Sequence, residues 1–415
     1  MRILFLSGWY PYPPDNGSKI RILNIIKQLA TDHEITLLSL AHRPPTDAEH
    51  DAMRAWCHEV RVAPHIAFEP HRLRALLGLI SPRPRSFADT YSRPMADLVH
   101  AACAARRYDL VIASQIQMAP YALLVDGVPR LLEELELTTL HEQAGQGAWP
   151  RRMRYTLTWV KTARFARELL SEFSACTVVS SRERSLVARI APDCARLAVV
   201  PNGVDLAAYA GDFGAPEPNT LIHTGALSYR ANYDAVAYLL REIYPLIRRR
   251  APVTLRITGA TDGLDLDALS PRDGAIFTGY LPDIRPAIAR SWVSLVPLRI
   301  GGGTRLKILE AMALGTPVVA TSKGAEGLDV TDGENILLAD TPACFANAVL
   351  GLLGDPTLRA RLAARGRRLV SECYGWDHIG AGLRDVVRLA AGVTSALKDA
   401  RSAPNDARIA SKDAP

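Results

Sequence analysis

Residues 301–320 read GGGTRLKILEAMALGTPVVA, and this stretch decides the fold. The apolar run just before it, 293–297, predicts a buried strand, and the run 317–321 predicts the next one. Between them, Thr304 is of the residue type that caps helices, and residues 305–314 carry apolar side chains at helical spacing. Strand, glycine loop, helix and strand in this order are typical of a parallel sheet covered by helices.

The same alternation of apolar strands and helices runs through the rest of the chain. Before residue 206 we predict strands at 3–7, 34–40, 110–114, 130–133, 177–181 and 198–201. A linker rich in Gly, Pro, Asp and Asn follows at 211–219. After it we predict a helix at 232–250 and strands at 221–225, 253–258, 275–278, 293–297, 317–321 and 336–338. The sequence therefore predicts an α/β protein of two doubly wound, Rossmann-like domains, 1–205 and 206–377, whose parallel sheets face a central cleft.

The composition limits the class of protein and its partners. A chain of 415 residues is too long for one hydrophobic core, and its net charge of +6 favours a nucleotide, a nucleic acid or an anionic membrane surface. The charge is equally compatible with no such partner. The six cysteines form no C-x-x-C pair, so we predict neither a zinc site nor a redox dithiol, and we expect no cofactor. The first apolar run is too short for a signal peptide, and none reaches the ~18 to 20 residues of a membrane span. We therefore expect a cytoplasmic protein, or one bound peripherally to the inner face of the cell membrane.

Two cations at the start of the 305–314 helix point to a bound anion. Arg305 and Lys307 lie where the helix dipole disfavours positive charge by ~0.3 to 1 kcal/mol each. Glycines before a helix expose backbone N–H groups that bind anions, so a diphosphate held by both cations explains the pattern. Glu310, further along the helix, is placed to accept hydrogen bonds from ribose hydroxyls. The alternative is a surface helix with a Lys307–Glu310 ion pair. The glycines match neither a dinucleotide fingerprint nor a P-loop.

Several motifs, in order along the chain, resemble glycosyltransferase family 4, which has the GT-B fold. The run KILEAMALGTPVVAT at 307–321 is similar to the signature of that family. YPPDNGSKIRILNIIKQLA at 12–30 resembles its first glycine loop and helix, and VVPNGVD at 199–205 resembles its interdomain segment. TGALSYRANYDAVAYLLREIYPLI from Thr224 resembles the start of its second domain. CYGWDHIGAGL at 373–383 resembles the segment from which a last helix, here 378–397, crosses back to the first domain; we expect disorder at 398–415.

The resemblance implies a retaining transfer from a UDP- or GDP-sugar without a protein-bound metal. Nucleic acid is not among the implied partners. Arg305, Lys307 and Glu310 match the catalytic segment of the family. The donor would also be bound by Gly17, Asn202, Gly225, Arg230, Gly303 and Thr304.

The chain departs from the family pattern at three places. The first glutamate of the E-x7-E motif falls on Gly302, and the G-R-x-x-x-x-K pair is missing, with Arg230 standing nearby. The T-x-H stretch is replaced by LLEELEL at 131–137. Glu133, Glu136 and the later His141 are therefore the acceptor-side candidates, because a glutamate there can orient or deprotonate an acceptor hydroxyl. The alternative is that these glutamates are solvated surface charges.

Two segments combine basic and apolar residues, which is typical of a membrane-facing surface. One is 71–85; the other is 151–170, where Trp159 begins a helical stripe that is alternatively explained by packing on the sheet.

The function that follows is transfer of a sugar to a glycan or lipid-linked acceptor in cell-surface polysaccharide biosynthesis. A nucleotide-sugar epimerase and a nonenzymatic nucleotide-sugar-binding subunit remain the alternatives.

Overall fold

Two separate parallel sheets form the centre of the protein. This computed structural model describes residues 1–392, except 79, 146–147, 195, 267–268, 270–273 and 304; the predicted disordered segment 398–415 lies outside the described residues. The first sheet has the order β3-β2-β1-β4-β5-β6-β7, with β1 Arg2–Ser7, β2 Glu34–Ala41, β3 Glu59–Pro64, β4 Leu110–Ser114, β5 Arg130–Glu133, β6 Ala175–Val178 and β7 Leu197–Val199. The second has the order β10-β9-β8-β11-β12-β13, with β8 Glu217–Thr224, β9 Thr254–Thr258, β10 Ala275–Gly279, β11 Ser291–Val296, β12 Val318–Ala320 and β13 Leu337–Leu338.

Helices cover both sheets, as expected when all strands are parallel and each must be followed by a crossover. In the first half they are α1 Gly17–Ala30, α2 Asp47–Arg54, α3 Leu73–Leu77, α4 Arg85–Asp89, α5 Arg93–Ala105, α6 Ala119–Ala122, α7 Thr138–Gly145, α8 Arg151–Leu170 and α9 Ser181–Ile190. In the second half they are α10 Arg230–Tyr238, α11 Tyr244–Arg248, α12 Arg285–Ala289, α13 Leu306–Ala313, α14 Pro342–Gly354, α15 Pro356–Cys373 and α16 Trp376–Ala390. A π-helical turn, Leu239–Ile243, joins α10 to α11. The predicted α/β fold of two doubly wound domains is confirmed.

Three of the predicted strands needed correction, and one strand was missed. Strand β8 begins at Glu217, four residues before the predicted start at 221 and inside the predicted linker 211–219. Strand β6 ends at Val178 because Ser180 accepts a hydrogen bond from the Glu183 N–H and caps α9, so the predicted strand 177–181 is shifted. The strand predicted at 198–201 is Leu197–Val199. Strand β3 was missed because it is an edge strand whose apolar residues do not form a continuous run.

The strand order places ligand-binding edges opposite each other. In each sheet the second and third strands are added on one side of the first strand, and the fourth strand pairs with its other side. The strand order therefore reverses between β1 and β4 and between β8 and β11. Crevices outside the carboxyl ends of strands at such switch points are where doubly wound sheets bind ligands. The loops that follow β1, β4, β8 and β11 therefore line the cleft.

The two domains are connected twice at one hinge. Val204 pairs with the segment entering α16: its N–H donates to the Tyr374 carbonyl at 2.8 Å, and its carbonyl accepts from the Trp376 N–H at 3.2 Å. Helix α16 then packs on α1, where Arg384 donates to the Gln28 Oε1 at 3.1 Å. The last helix thus belongs to the core of the first domain.

Across the cleft the domains are held by a cluster of charged side chains. Arg182 and Glu142 belong to the first domain, and Lys323 and Glu326 follow β12 in the second. Lys323 Nζ lies 2.7 Å from Glu142, and Arg182 pairs with both glutamates. These ion pairs join the two domains across the cleft. Within the described residues, we find no helix with the length and apolarity needed to cross a membrane.

Candidate functional site

The glycine loop 301–303 and the Gly225 turn lie side by side at the switch point of the second sheet, after β11 and β8. Gly225 has φ +130°, and a Cβ there would lie 2.6 Å from Asn232 Nδ2 and 2.9 Å from Lys307 Nζ. Only glycine satisfies both the backbone and this close approach. Gly225 therefore makes room for the Lys307 ammonium at the carboxyl end of β8.

Arg305 holds the glycine loop in place. Its guanidinium donates to the carbonyls of Gly302 at 2.6 Å and Gly301 at 2.8 Å, and its Nε is buried without a partner among the described residues. Helix α13 starts at Leu306, with Arg305 in the N-cap position, so the predicted start at 305 is one residue early. The predicted cap, Thr304, lies outside the described residues. A buried guanidinium with an unused donor at a helix start is suited to an anion.

Lys307 does not form the ion pair with Glu310 that the surface-helix alternative requires. Instead its ammonium donates to the Thr224 carbonyl and, at 2.8 Å, to Asn232 Oδ1. Burial lowers the pKa of Lys307 to about 7, and the Arg305 guanidinium acts in the same direction. Neither Arg305 nor Lys307 forms an ion pair with an acidic side chain among the described residues, so the start of α13 is a positive site.

Glu310 lies one turn further along α13. Its Oε1 accepts a hydrogen bond from the Tyr209 hydroxyl at 2.8 Å, and burial raises the pKa of the Glu310 carboxyl. Tyr209 ends a short turn, Leu206–Tyr209, that follows the hinge. The second carboxylate oxygen of Glu310 is free, within the described part of the chain, to accept from a ligand.

Two further predicted donor residues lie at the ends of helices. Gly17 is the first residue of α1, and a Cβ on it would lie 3.5 Å from Leu306 Cδ1, so the first domain reaches the start of α13 here. Arg230 is exposed at the start of α10. Gly303 has φ +77° and shapes the loop that Arg305 holds.

Asn202 and Glu133 are both engaged by a buried arginine of α1. Arg21 is fully buried, and it donates to Glu133 Oε1 at 2.7 Å and to Asn202 Oδ1 at 2.9 Å. It also donates to the Val200 carbonyl at 2.9 Å and to the Pro201 carbonyl at 3.1 Å. The other oxygen of Glu133 accepts from the Ser114 hydroxyl at 2.8 Å. These contacts fasten α1 to the first sheet and to the segment before the hinge.

Glu134, which was not among the predicted site residues, is the carboxylate with the most unusual surroundings. It follows β5 with φ +58°, and Gln115, which follows β4, has φ +72° and donates to Glu134 Oε2 at 3.2 Å. Burial raises the pKa of Glu134 to about 8; Glu133 and Glu136 add to the rise, and Arg21 opposes it. A left-handed backbone at two non-glycine residues facing one cleft is strain of the kind found at functional sites. The sequence signal was the cluster of glutamates itself.

The other two acceptor-side candidates, Glu136 and His141, have different surroundings. Glu136 is exposed and contacts the glycine loop of the other domain, whereas His141, on α7, lies edge-on to Trp159 with ring centroids 4.7 Å apart. The stripe that begins at Trp159 packs on the core of the first domain, which confirms the packing alternative for that stripe. Among the described residues no group of His, Cys, Asp and Glu side chains is arranged to hold a metal ion.

Both halves of the chain match models of glycosyltransferase domains. Residues 16–203 match the model described as glycosyl transferase 4-like domain, and residues 218–355 match glycosyl transferases group 1. The phosphatidyl-myo-inositol mannosyltransferase of Mycolicibacterium smegmatis is 30% identical over 206 residues, 46% of this chain and 52% of that protein. The glycogen synthase of Mycobacterium tuberculosis is 28% identical over 229 residues, 51% of this chain and 53% of that protein. The matched part thus spans about half the length of these curated relatives.

Solved structures show the same fold. Anabaena Alr3699/HepE in complex with UDP and glucose has a TM-score of 0.66 at 16% identity, covering 93% of this chain and 99% of that one. Sucrose-phosphate synthase from Thermosynechococcus elongatus has a TM-score of 0.67 at 17% identity, covering 95% and 100%. With two glycosyltransferase domain matches on a GT-B fold, and the cations of α13 inside the second of them, the chain belongs to the family 4-like glycosyltransferases.

Proposed function

We propose that the protein transfers a sugar, with retention of configuration, from a UDP- or GDP-sugar to a glycan or lipid-linked acceptor in cell-surface polysaccharide biosynthesis. The observation that carries the proposal is the start of α13, where the Arg305 guanidinium and the Lys307 ammonium lie beside a glycine loop without acidic partners among the described residues. A leaving diphosphate gains negative charge as the bond to the sugar breaks, and fixed cations stabilise that charge.

The donor would lie along α13. The free oxygen of Glu310 would accept from ribose hydroxyls, while the positive charges of Arg305 and Lys307 would stabilise the diphosphate. Gly17 lies beside the helix start, since a Cβ on it would be 3.5 Å from Leu306 Cδ1, and the first domain would close over the donor at this place. Charge compensation by these side chains requires no protein-bound metal.

The test is nucleotide binding and sugar transfer by the purified protein. Lys307→Ala and Glu310→Ala should each weaken UDP or GDP binding at least tenfold, because charge-assisted hydrogen bonds contribute about 1.5–3 kcal/mol. Parent-like binding by both variants would overturn the site. Incubation with nucleotide-sugars and no acceptor separates the alternatives, since an epimerase converts the donor and a binding subunit leaves it unchanged. The anomeric configuration of the product, read by NMR, tests retention.

Glu134 is the residue that we propose to receive the acceptor proton. Its carboxyl lies at the carboxyl ends of β4 and β5, beside Gln115 and opposite the diphosphate site. A base is most effective when its pKa lies near the working pH, and the pKa of about 8 meets that condition. Glu134→Gln should lower kcat by about 10²-fold or more while leaving nucleotide affinity within about twofold. Unchanged kcat would remove Glu134 from this role.

A basic and apolar surface on the first domain supports a membrane-bound acceptor. Helices α3 and α8 leave large apolar side chains exposed: Leu73, Leu76, Leu77, Met153, Leu157 and Val160, with Ile80 and Trp149 nearby. Beside them a cavity of about 470 Å³ is lined by Arg74, Arg83 and Arg93, none of which has an acidic partner among the described residues, and by aromatic rings. Apolar side chains beside unpaired guanidinium groups suit an anionic lipid surface.

Vesicle co-sedimentation tests this part of the proposal. The parent should bind phosphatidylglycerol vesicles and not phosphatidylcholine vesicles. The double variant Leu73→Ser/Ile80→Ser should lose binding, whereas Ile276→Ser, an exposed apolar residue of the second domain, should not. Equal binding by all three proteins would contradict a membrane-facing surface on α3.

A further inference from the structure

The reason for a glycine at position 302 differs from the reason at its two neighbours in the loop. Gly301 and Gly303 have φ of +101° and +77°, which favour glycine, but Gly302 is not in the left-handed region. What excludes a side chain at Gly302 is the other domain. A Cβ would lie 2.5 Å from Glu136 Oε1 and closer still to Thr139 Oγ1. A carboxylate from the first domain therefore occupies the space that a side chain at position 302 would take.

The first domain holds Glu136 in this position through its neighbours. Leu135 and Leu137, on either side, are buried in the core, which directs the side chain between them outward. The carboxylate of Glu183, itself buried, accepts from the N–H groups of Leu137 and, at 3.1 Å, Thr138. Thr139 Oγ1 donates to Glu136 Oε1 at 3.0 Å. Glu136 is thus an exposed carboxylate on a rigid support.

With the proposed donor placed along α13, its sugar lies near the Glu136 carboxylate. The order of groups from the interior of α13 outward is Glu310, Lys307, Arg305 and then the loop 301–303. With the ribose at Glu310 and the diphosphate at the two cations, the sugar lies over the glycine loop. Arg305 lies between the diphosphate and Glu136, and it compensates for the negative charge that a carboxylate brings near the phosphates.

We propose that the Glu136 carboxylate, reaching across the cleft above Gly302, binds hydroxyl groups of the donor sugar. The inference rests on the proposed function and names the residue that recognises its sugar. Hydroxyl groups donate to an ionised carboxylate in short, charge-assisted hydrogen bonds. Because the diphosphate site belongs to the second domain and Glu136 to the first, this contact exists only when the domains are closed. The sugar, and not the nucleotide alone, therefore favours the closed arrangement.

The experiment compares a nucleoside diphosphate with its nucleotide-sugars by calorimetric titration. UDP and GDP are titrated first, and then UDP-glucose, UDP-N-acetylglucosamine or GDP-mannose. Glu136→Gln should bind the nucleoside diphosphate within about twofold of the parent and the preferred nucleotide-sugar about tenfold more weakly, equivalent to about 1.4 kcal/mol. The matched control is Glu372→Gln, a surface glutamate of α15 paired with Arg368, which should change neither affinity.

A second set of variants moves the carboxylate from one domain to the other. Gly302→Glu alone should lose the sugar-dependent part of the affinity, because its side chain meets Glu136 and Thr139. The triple variant Glu136→Ala/Thr139→Ala/Gly302→Glu removes both obstacles and should regain it. Recovery in the triple variant would show that the sugar-dependent affinity needs a carboxylate at this place in the cleft, and no recovery would contradict the sugar contact.

The outcomes separate this inference from the proposed function. Equal loss of nucleoside diphosphate and nucleotide-sugar affinity in Glu136→Gln, or no loss in either, overturns the sugar contact and leaves the diphosphate site standing. A parent protein that binds neither UDP nor GDP overturns both. Small-angle scattering gives an independent check: the nucleotide-sugar should reduce the radius of gyration of the parent below that with UDP or GDP, and this difference should vanish in Glu136→Gln.

Discussion

The charge of Lys307 gives a sharp prediction for the pH dependence of donor binding. With a pKa of about 7, the ammonium loses its proton within the physiological range. A diphosphate binds the protonated form, so affinity should follow the protonated fraction, which falls from about one half at pH 7 to about one thirtieth at pH 8.5. The Kd of a nucleotide-sugar should therefore rise about 16-fold over this interval. At pH 8, binding should also take up nearly one proton.

Calorimetry in two buffers of different ionisation enthalpy measures both quantities. A nucleotide-sugar is the correct ligand because its diphosphate does not titrate in this range, unlike the terminal phosphate of UDP. Lys307→Met should bind weakly and lose the pH dependence, whereas Lys27→Ala, on α1 over the Trp56 ring, should keep it. Glu134 also titrates near this range, so Glu134→Gln should retain most of the slope. A flat profile in the parent, or an unchanged slope in Lys307→Met, would refute the reasoning.

Three further predictions concern stability, measured by urea unfolding. Gly225→Ala should destabilise the protein by about 1–3 kcal/mol, because of its φ of +130° and its contacts with Asn232 and Lys307; Gly351→Ala, in α14 with open space around it, should not. Glu133→Gln should cost about 3 kcal/mol by breaking the buried pair with Arg21, whose next carboxylate, Glu134, lies 3.8 Å away, and a cost under about 1 kcal/mol would contradict the buried pair. The raised pKa of Glu134 means that its ionisation opposes folding, so the contribution of Glu134 to stability should fall as the pH rises from 4.5 to about 8. Glu134→Gln should reduce that loss, and equal pH profiles would show that the carboxyl titrates normally.

Much of the fold was predictable because buried parallel strands leave a strong signal in the sequence. Strands β1, β2, β4 and β5 are continuous apolar runs bounded by turns, and the structure places them within a residue or two of the prediction. Strand β3 escaped because an edge strand needs fewer apolar residues. The start of α13 was predicted one residue early, because backbone geometry and not residue type decides that Arg305 precedes the helix.

The candidate site was predictable in its chemistry and not in its contacts. Cations beside glycines at a helix start identify an anion site from spacing alone. The partners of Lys307, however, are Thr224 and Asn232, which lie 83 and 75 residues earlier in the chain. Its lowered pKa follows from burial and from Arg305, and neither the extent of burial nor the distance between the two charges can be read from a sequence.

The sequence by itself determined the two doubly wound domains and the position of cations and glycines at the start of one helix, because both depend on local periodicity and on residues near one another in the chain. Only the tertiary structure decided which groups surround each glutamate of the segment 133–136. Glu133 became the partner of a buried arginine, Glu134 a carboxyl with a raised pKa, and Glu136 a group lying on the other domain. Three glutamates within four residues look alike in the sequence, but β5 ends at Glu133, Glu134 has a left-handed backbone and Glu136 meets the other domain, so each has a different environment.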